Sequence, residues 1–154
     1  MSKKIFKIAD YFICRSHKEG VKDLTNKKLQ KLLYYSQAWF YTINGVKLFP
    51  NKIEAWIHGP AVLEVYQKYK GFGSSMITAE ALPENFKDLK KEELDILDNV
   101  WSVYGTLDPD YLEKLTHSEK PWIEARMNKT PYENSSEEIS LETMKEYYGA
   151  KIKK

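Results

Sequence analysis

The most enzyme-like stretch of the chain is the segment 116–122, Thr-His-Ser-Glu-Lys-Pro-Trp, which sets an imidazole, a hydroxyl and a carboxylate side by side. A catalytic triad needs three such groups to converge on one substrate atom, and they usually come from different elements of a fold. Because consecutive residues seldom converge in this way, we predict a structural role. His117 and Ser118 would then satisfy backbone groups at a helix end, while Trp122 packs inward.

The other residues capable of chemistry also lack a specific pattern. His17, His58 and His117 show none of the HxxxH, HExxH or CxxC spacings that are typical of zinc sites. Cys14 is the lone cysteine, and no neighbour in the sequence would activate its thiol, so a buried structural thiol is expected. No phosphate-binding or dinucleotide-binding glycine motif is present. We therefore expect no metal, no cofactor and no catalytic residue, and we class the chain as non-enzymatic.

Composition indicates a binding module more than a nucleic-acid-binding protein. The 24 basic and 22 acidic residues are mixed along the chain and leave a net charge of only +2. The chain has 11 Tyr, 4 Trp and 6 Phe, side chains that fill cores and also anchor protein interfaces. No long apolar run or secretory segment is evident, and one unpaired cysteine suits a reducing compartment, so a cytoplasmic location is expected.

At 154 residues the chain fits a single domain. Apolar spacing and cap residues predict a mainly α fold, a compact domain over residues 1–150 with about six to seven helices, followed by a frayed basic tail at 151–154. The predicted helices are 3–18, 25–44, 60–70, 91–104, 109–116, one after 121, and 141–148. A small β-hairpin is predicted near residues 46–57, with strands at 46–50 and 53–57 and a third helix that starts at Pro60.

The predicted helix 25–44 is central and carries a polar and aromatic stripe. Gln30, Tyr34, Gln37 and Tyr41 follow one another at helical spacing along one side. The stripe fits a buried helix whose tyrosine hydroxyls find partners in adjacent segments, and it also fits a contact surface for another molecule. Nearby Lys27, Lys28 and Lys31, together with Tyr34 and Tyr35, leave a third possibility, in which cations meet phosphates and rings stack on bases.

Three segments of the sequence resemble the Panacea family, also called SocA-like. The first is 24–35, Leu-Thr-Asn-Lys-Lys-Leu-Gln-Lys-Leu-Leu-Tyr-Tyr, followed by Trp39 and Asn44-Gly45. The second is Leu48-Phe49 with 53–62, Ile-Glu-Ala-Trp-Ile-His-Gly-Pro-Ala-Val. The third is 115–122, followed by a helix capped at Ser140. Their order and spacing extend the resemblance over about residues 8–148.

The resemblance implies an antitoxin that neutralises a cognate protein toxin by direct contact. Two alternatives remain open: an adaptor that delivers a toxin to an ATP-dependent protease, and a nucleic-acid-binding regulator. Selectivity for the partner is expected within the domain itself, at 72–88 or 128–136. The residues expected to bind the partner, or to support those that do, are Thr25, Lys28, Gln30, Lys31, Tyr34, Gln37, Tyr41, Trp56, His58, Gly59, Pro60, His117 and Trp122.

Overall fold

A computed structural model describes residues 3–152 and shows seven α-helices and one antiparallel hairpin within that range. The predicted mainly α fold is confirmed. In chain order the elements are α1 (Lys4–Glu19), α2 (Asn26–Asn44), β1 (Glu54–Trp56), β2 (Gly59–Ala61), α3 (Leu63–Tyr69), α4 (Lys91–Tyr104), α5 (Pro109–His117), α6 (Lys120–Ala125) and α7 (Leu141–Ile152). None of the helices in the described part of the chain has the length and apolarity needed to cross a membrane.

Helix α2 is the centre of the fold, as its sequence predicts. Thr25 caps its start by accepting a hydrogen bond from the Lys28 backbone N–H at 3.2 Å, and Gly45 ends it with a left-handed φ of 73°. The helix packs against α1, α3, α4, α5, α7 and β2. Because neighbours surround it, side chains on almost every side of α2 are buried, including both Gln30 and Gln37.

The hairpin lies further along the chain than predicted. Its strands are β1 and β2, so the predicted second strand is the first, and 46–50 is not a strand. The Gln37 side chain accepts from the Leu48 N–H and donates to the Phe49 carbonyl, both at 2.7 Å. A side chain thus takes the place of a partner strand for two backbone groups of 46–50, which is why the prediction of a strand there was wrong.

The third helix also starts later than the proline suggests. Pro60 lies in β2 opposite Ala55, and α3 begins only at Leu63. Val62 stays extended, at φ −102° and ψ 111°, because its N–H donates to the buried Gln30 side chain at 2.7 Å. A hydrogen bond across the fold thus outweighs the local preference of proline for a first helical turn.

The ends of the chain depart slightly from the prediction. Helix α7 continues through Gly149 to Ile152, and the structure places Lys151 in its last turn. The remainder of the predicted frayed tail, 153–154, lies outside the described residues. Helix α1 ends at Glu19, one residue beyond its predicted end, with Gly20 left-handed at φ 70°.

Candidate functional site

A cleft of about 940 Å³ opens beside the first turns of α2. Its walls come from five separate parts of the chain, which are the start of α2, the hairpin, α3 with the turn that follows it, the start of α5, and the loop before α7. The predicted site residues on its surface are Thr25, Gln30, Lys31, Trp56, His58 and Gly59. The volume is in the range of pockets that hold ligands, and several distant segments must fold together to form it.

The hairpin turn forms one side of the cleft and is held close to α2. His58 is at the tip and is exposed, with its Nδ1 3.1 Å from Glu113 Oε2. Gly59 follows with φ 108°, and a Cβ there would lie 2.6 Å from Lys31 Cε. Only glycine combines this backbone conformation with such a close approach, so the turn and the Lys31 side chain fix each other's position.

Trp122 and Arg126 attach the hairpin to the rest of the domain. Trp122 Nε1 donates to the Trp56 carbonyl at 2.8 Å, and the Trp122 ring stacks on His117 with centroids 4.0 Å apart. The buried Arg126 guanidinium donates to the carbonyl oxygens of Ala55, at 2.8 Å, and of Thr130 and Glu133. Since residues 134–136 line the cleft, Arg126 joins two of its walls.

The predicted structural role of the segment 116–122 holds for Ser118, whose hydroxyl donates to the Leu115 carbonyl at the end of α5 at 2.7 Å. Burial lowers the pKa of His117, although the Glu113 charge acts in the opposite direction. The His117 Nε2 atom has no hydrogen-bond partner among residues 3–152. Glu119, the carboxylate of the same segment, does not lie beside Ser118 and His117 on the surface but is buried and bonded to core tyrosines.

The stripe on α2 belongs mostly to the core and not to the surface. Tyr34 is 1% exposed, and its hydroxyl is 2.9 Å from that of Tyr148. Tyr148 in turn donates to Glu119 at 2.9 Å, and Tyr35 donates to the same Glu119 oxygen at 2.7 Å. Burial raises the pKa of Glu119, and the two tyrosine hydrogen bonds only partly oppose that effect. Of the two interpretations of the stripe, the buried helix with internally paired hydroxyls is therefore the one that the structure confirms.

The remaining stripe residues are placed in the same way. Gln30 and Gln37 are buried and use their amides to hold loops, whereas Tyr41 is half-buried and bonds to Glu142. The cleft therefore receives only Gln30 from the stripe.

The lysines of α2 do not form the basic surface that nucleic acid would need. Lys28 and Lys31 are 0% and 2% exposed, and Lys27 is paired with Asp110 at 3.0 Å and with Glu113 at 2.6 Å. Tyr35 is fully buried and, like Tyr34, has no face available for base stacking. This group of lysines and tyrosines therefore offers no continuous basic and aromatic surface to nucleic acid, and the nucleic-acid-binding alternative stays a prediction.

Among the described residues of the cleft, Lys27 is paired with carboxylates whereas Lys31 is not. Burial would raise the pKa of Glu113, but hydrogen bonds from Lys27 and His58 outweigh it and the pKa is lowered. Burial lowers the pKa of Lys31 to about 7, because the ammonium is enclosed and Glu113 only partly compensates. Its Nζ donates to the Pro60 carbonyl at 3.1 Å, which gives Pro60 a role behind the cleft wall.

Sequence reasoning missed several residues of the cleft. Asn26, Glu54, Tyr66, Asp108 and Asp110 all line it. Glu54 accepts a hydrogen bond from Trp56 Nε1 at 2.9 Å, and Asp108 caps α5 through the Tyr111 N–H at 2.9 Å. Only Asp108 gave a signal in the sequence, as a cap before a proline; the others reach the cleft through tertiary contacts.

The two segments expected to give selectivity for the partner both contribute residues to the cleft. The segment 128–136 contributes 134–136, and the segment 72–88 contributes Gly73 and Ser74.

Comparison with known proteins gives a single family. The family described as antitoxin SocA-like, Panacea domain, matches residues 29–123, a narrower range than the resemblance predicted. No curated protein matches the chain, and no solved structure does either. The matched range contains Gln30, Lys31, the hairpin and Asp108, so it includes much of the cleft. Because the match covers more than half of the sequence, the chain belongs to the SocA-like antitoxin family with a Panacea domain.

Proposed function

We propose that this protein is an antitoxin that neutralises a cognate protein toxin by direct contact and that the cleft beside α2 is the contact site. Membership of an antitoxin family supports the role. The observation that supports the cleft as the contact site is that His58, Trp56 and residues 134–136 line the same concave surface.

The composition of the cleft suits a polypeptide partner. Trp56 and Tyr66 form an edge-to-face pair with centroids 5.0 Å apart, and both line the cleft. Aromatic side chains of this kind are the commonest anchors of protein interfaces. Around them lie exposed polar groups, such as Asp110 and Asn134, which resemble the polar rim of an interface. A cytoplasmic location is part of the same proposal.

Binding would require no catalytic group of the antitoxin. The protein would act by occupying its partner, and the buried residues Tyr34, Gln37 and Lys28 would serve as the scaffold beneath the contact surface. Thr25 would hold the first turn of α2 in place, since its cap satisfies one of the free N–H groups there.

Co-expression with the products of neighbouring genes tests the proposal. A toxin should be found whose growth inhibition is relieved by the wild-type protein and which co-purifies with it. The variants His58→Ala and Asp110→Ala, both on exposed positions of the cleft, should relieve inhibition less well. Val103→Ala is a matched control, because Val103 is 60% exposed on α4 and lines a different surface depression.

Two outcomes would contradict the proposal. The absence of any neighbouring toxin that is relieved and captured would remove the antitoxin role. A toxin that is captured equally well by the wild-type protein and by both cleft variants would move the contact elsewhere. The toxin's half-life distinguishes our proposal from the adaptor alternative. Under our proposal, the half-life is the same in a host with and in a host without its ATP-dependent proteases.

A further inference from the structure

Two lysines of α2 are buried to the same degree but are paired differently. Lys28 Nζ donates to Asp23 Oδ1 at 2.7 Å and to the Gly105 carbonyl at 2.6 Å, so it has both an anion and a neutral acceptor. Lys31 Nζ donates only to the Pro60 carbonyl, and no carboxylate lies within 4.0 Å of it in the part of the chain that the structure describes. An ammonium has three N–H donors, and a buried one normally has an anion beside it.

The position of Lys31 shows where an anion could come from. Lys31 lines the cleft, whereas Lys28 does not. The nearest acid that acts on Lys31 is Glu113 on α5, and that carboxylate is already bound by Lys27 and His58. Of the acids that line the cleft, Glu54 and Asp108 accept hydrogen bonds from Trp56 and from the Tyr111 backbone, and Asp110 is paired with Lys27. Among the described residues, therefore, none of these carboxylates is paired with Lys31.

We propose that an extended segment of the cognate toxin enters the cleft and places a carboxylate against Lys31 Nζ. This inference rests on the proposed function. A carboxylate fits because it would supply the anion and the additional acceptors that Lys31 lacks, and charge-assisted hydrogen bonds of this kind are the strong ones. A polypeptide segment fits because the cleft has both the Trp56 and Tyr66 rings and a long polar edge at 134–136.

Proton uptake follows from this arrangement. The free protein has Lys31 largely neutral above its pKa of about 7. A carboxylate at Nζ favours the ammonium and raises that pKa, so the complex takes up a proton when it forms at about pH 8. Affinity should then fall as the pH rises above about 7. Glu113 on α5 and Lys27 on α2 act on the Lys31 charge, and Lys31 in turn acts on His117 of α5, which also feels His58 of the hairpin turn.

Titration calorimetry of the full-length protein with the toxin identified by co-expression tests the inference. At about pH 8, heats measured in two buffers of different ionisation enthalpy should reveal uptake of close to one proton by the wild-type protein. The variant Lys31→Met should take up none and should bind the toxin at least about 10-fold more weakly, which is the usual cost of removing a hydrogen bond to a charged group. Lys47→Met is the control, since Lys47 is exposed outside the cleft.

The outcomes separate the two proposals. If the wild-type protein binds the toxin without proton uptake at about pH 8, or Lys31→Met binds as well as the wild type, the carboxylate contact is refuted and the antitoxin role stands. If uptake persists in Lys31→Met, it comes from a group other than Lys31 and the inference again fails. If no toxin binds the wild-type protein, the proposed function itself fails. The absence of proton uptake by the wild-type protein refutes the contact without any variant, so the inference stays open to refutation even if Lys31→Met folds poorly.

Discussion

The most informative residues are those whose side chains are polar and yet buried. Tyr148 has one hydroxyl hydrogen and donates it to Glu119, so Tyr34 must be the donor in the pair between the two hydroxyls. These hydrogen bonds make Tyr34 a support of the core. Composition shows that the tyrosines are numerous, but it cannot show which of them face inward in pairs.

The variant Tyr34→Phe separates the two roles that the stripe suggested. It removes one donor, leaves the ring in place and should lower the free energy of unfolding by about 1 kcal/mol. Toxin binding should be unchanged, because the hydroxyl does not reach the cleft. Urea unfolding and the binding assay measure the two effects, with Tyr41→Phe as the half-exposed comparison. A loss of binding by folded Tyr34→Phe would show that the hydroxyl takes part in the contact.

At the scale of elements, the cleft depends on how the hairpin and the loop before α7 are joined. Ala55 N–H donates to the Glu137 carbonyl at 2.9 Å, and Ile139 N–H donates to the Ile53 carbonyl at 2.8 Å, so the loop runs along the free edge of β1. Arg126 also joins the hairpin to this loop, because its guanidinium donates to the carbonyl oxygens of Ala55 and Thr130. The loop is irregular, and these bonds, together with the buried Ile139 side chain, fix its course over the hairpin.

Replacing Arg126 with Gln should loosen the loop more than the domain. The variant loses the hydrogen bonds to Ala55, Thr130 and Glu133, at a cost of roughly 1–3 kcal/mol. We expect faster amide hydrogen exchange and faster proteolysis at 128–137, with α2 and α4 still protected. Lys129→Gln is the control on the same loop. Uniform loss of protection across α2 would mean that Arg126 holds the whole fold and not one junction.

The sequence predicted the helices well and the cleft poorly, for a physical reason. Caps such as Thr25 and Asp108 act within one turn, so the starts of α2 and α5 follow from local chemistry. The position of the hairpin depends on Gln37 and Gln30, whose amides bond to backbone groups 11 to 32 residues away. The spacing of residues does not reveal such pairings, and for the same reason Glu54 could not be assigned to a site from the sequence.

At the scale of the whole molecule, two buried titratable groups make stability depend on pH in opposite directions. The raised pKa of Glu119 means that the folded state holds a proton there more tightly than the unfolded state. Its contribution to stability is therefore largest at low pH and is lost as the pH rises through the folded pKa. Lys31 has a lowered pKa, so the unfolded state binds the extra proton, and stability from this group rises above about pH 7.

The variant Glu119→Gln isolates the first of these effects. The amide oxygen can still accept from Tyr35 and Tyr148, but no buried charge forms at any pH. Stability relative to the wild type should therefore increase with pH above the ordinary carboxyl range and then level off. Urea unfolding from about pH 5 to about pH 8 measures it. Glu146 is exposed on α7, so the free energy of unfolding of Glu146→Gln relative to the wild type should not change with pH. If that of Glu119→Gln does not change either, the pKa of Glu119 is not raised by the fold.

Hydrogen–deuterium exchange of the full-length protein, with and without its toxin, tests the central claim most directly. If the cleft is the contact site, the toxin should protect backbone amides at 25–31, 54–61, 108–110 and 134–136 and leave those near Val103 on α4 unchanged. Protection confined to α4 and the end of α2, around Trp39, with none at the hairpin turn or at 134–136, would contradict it.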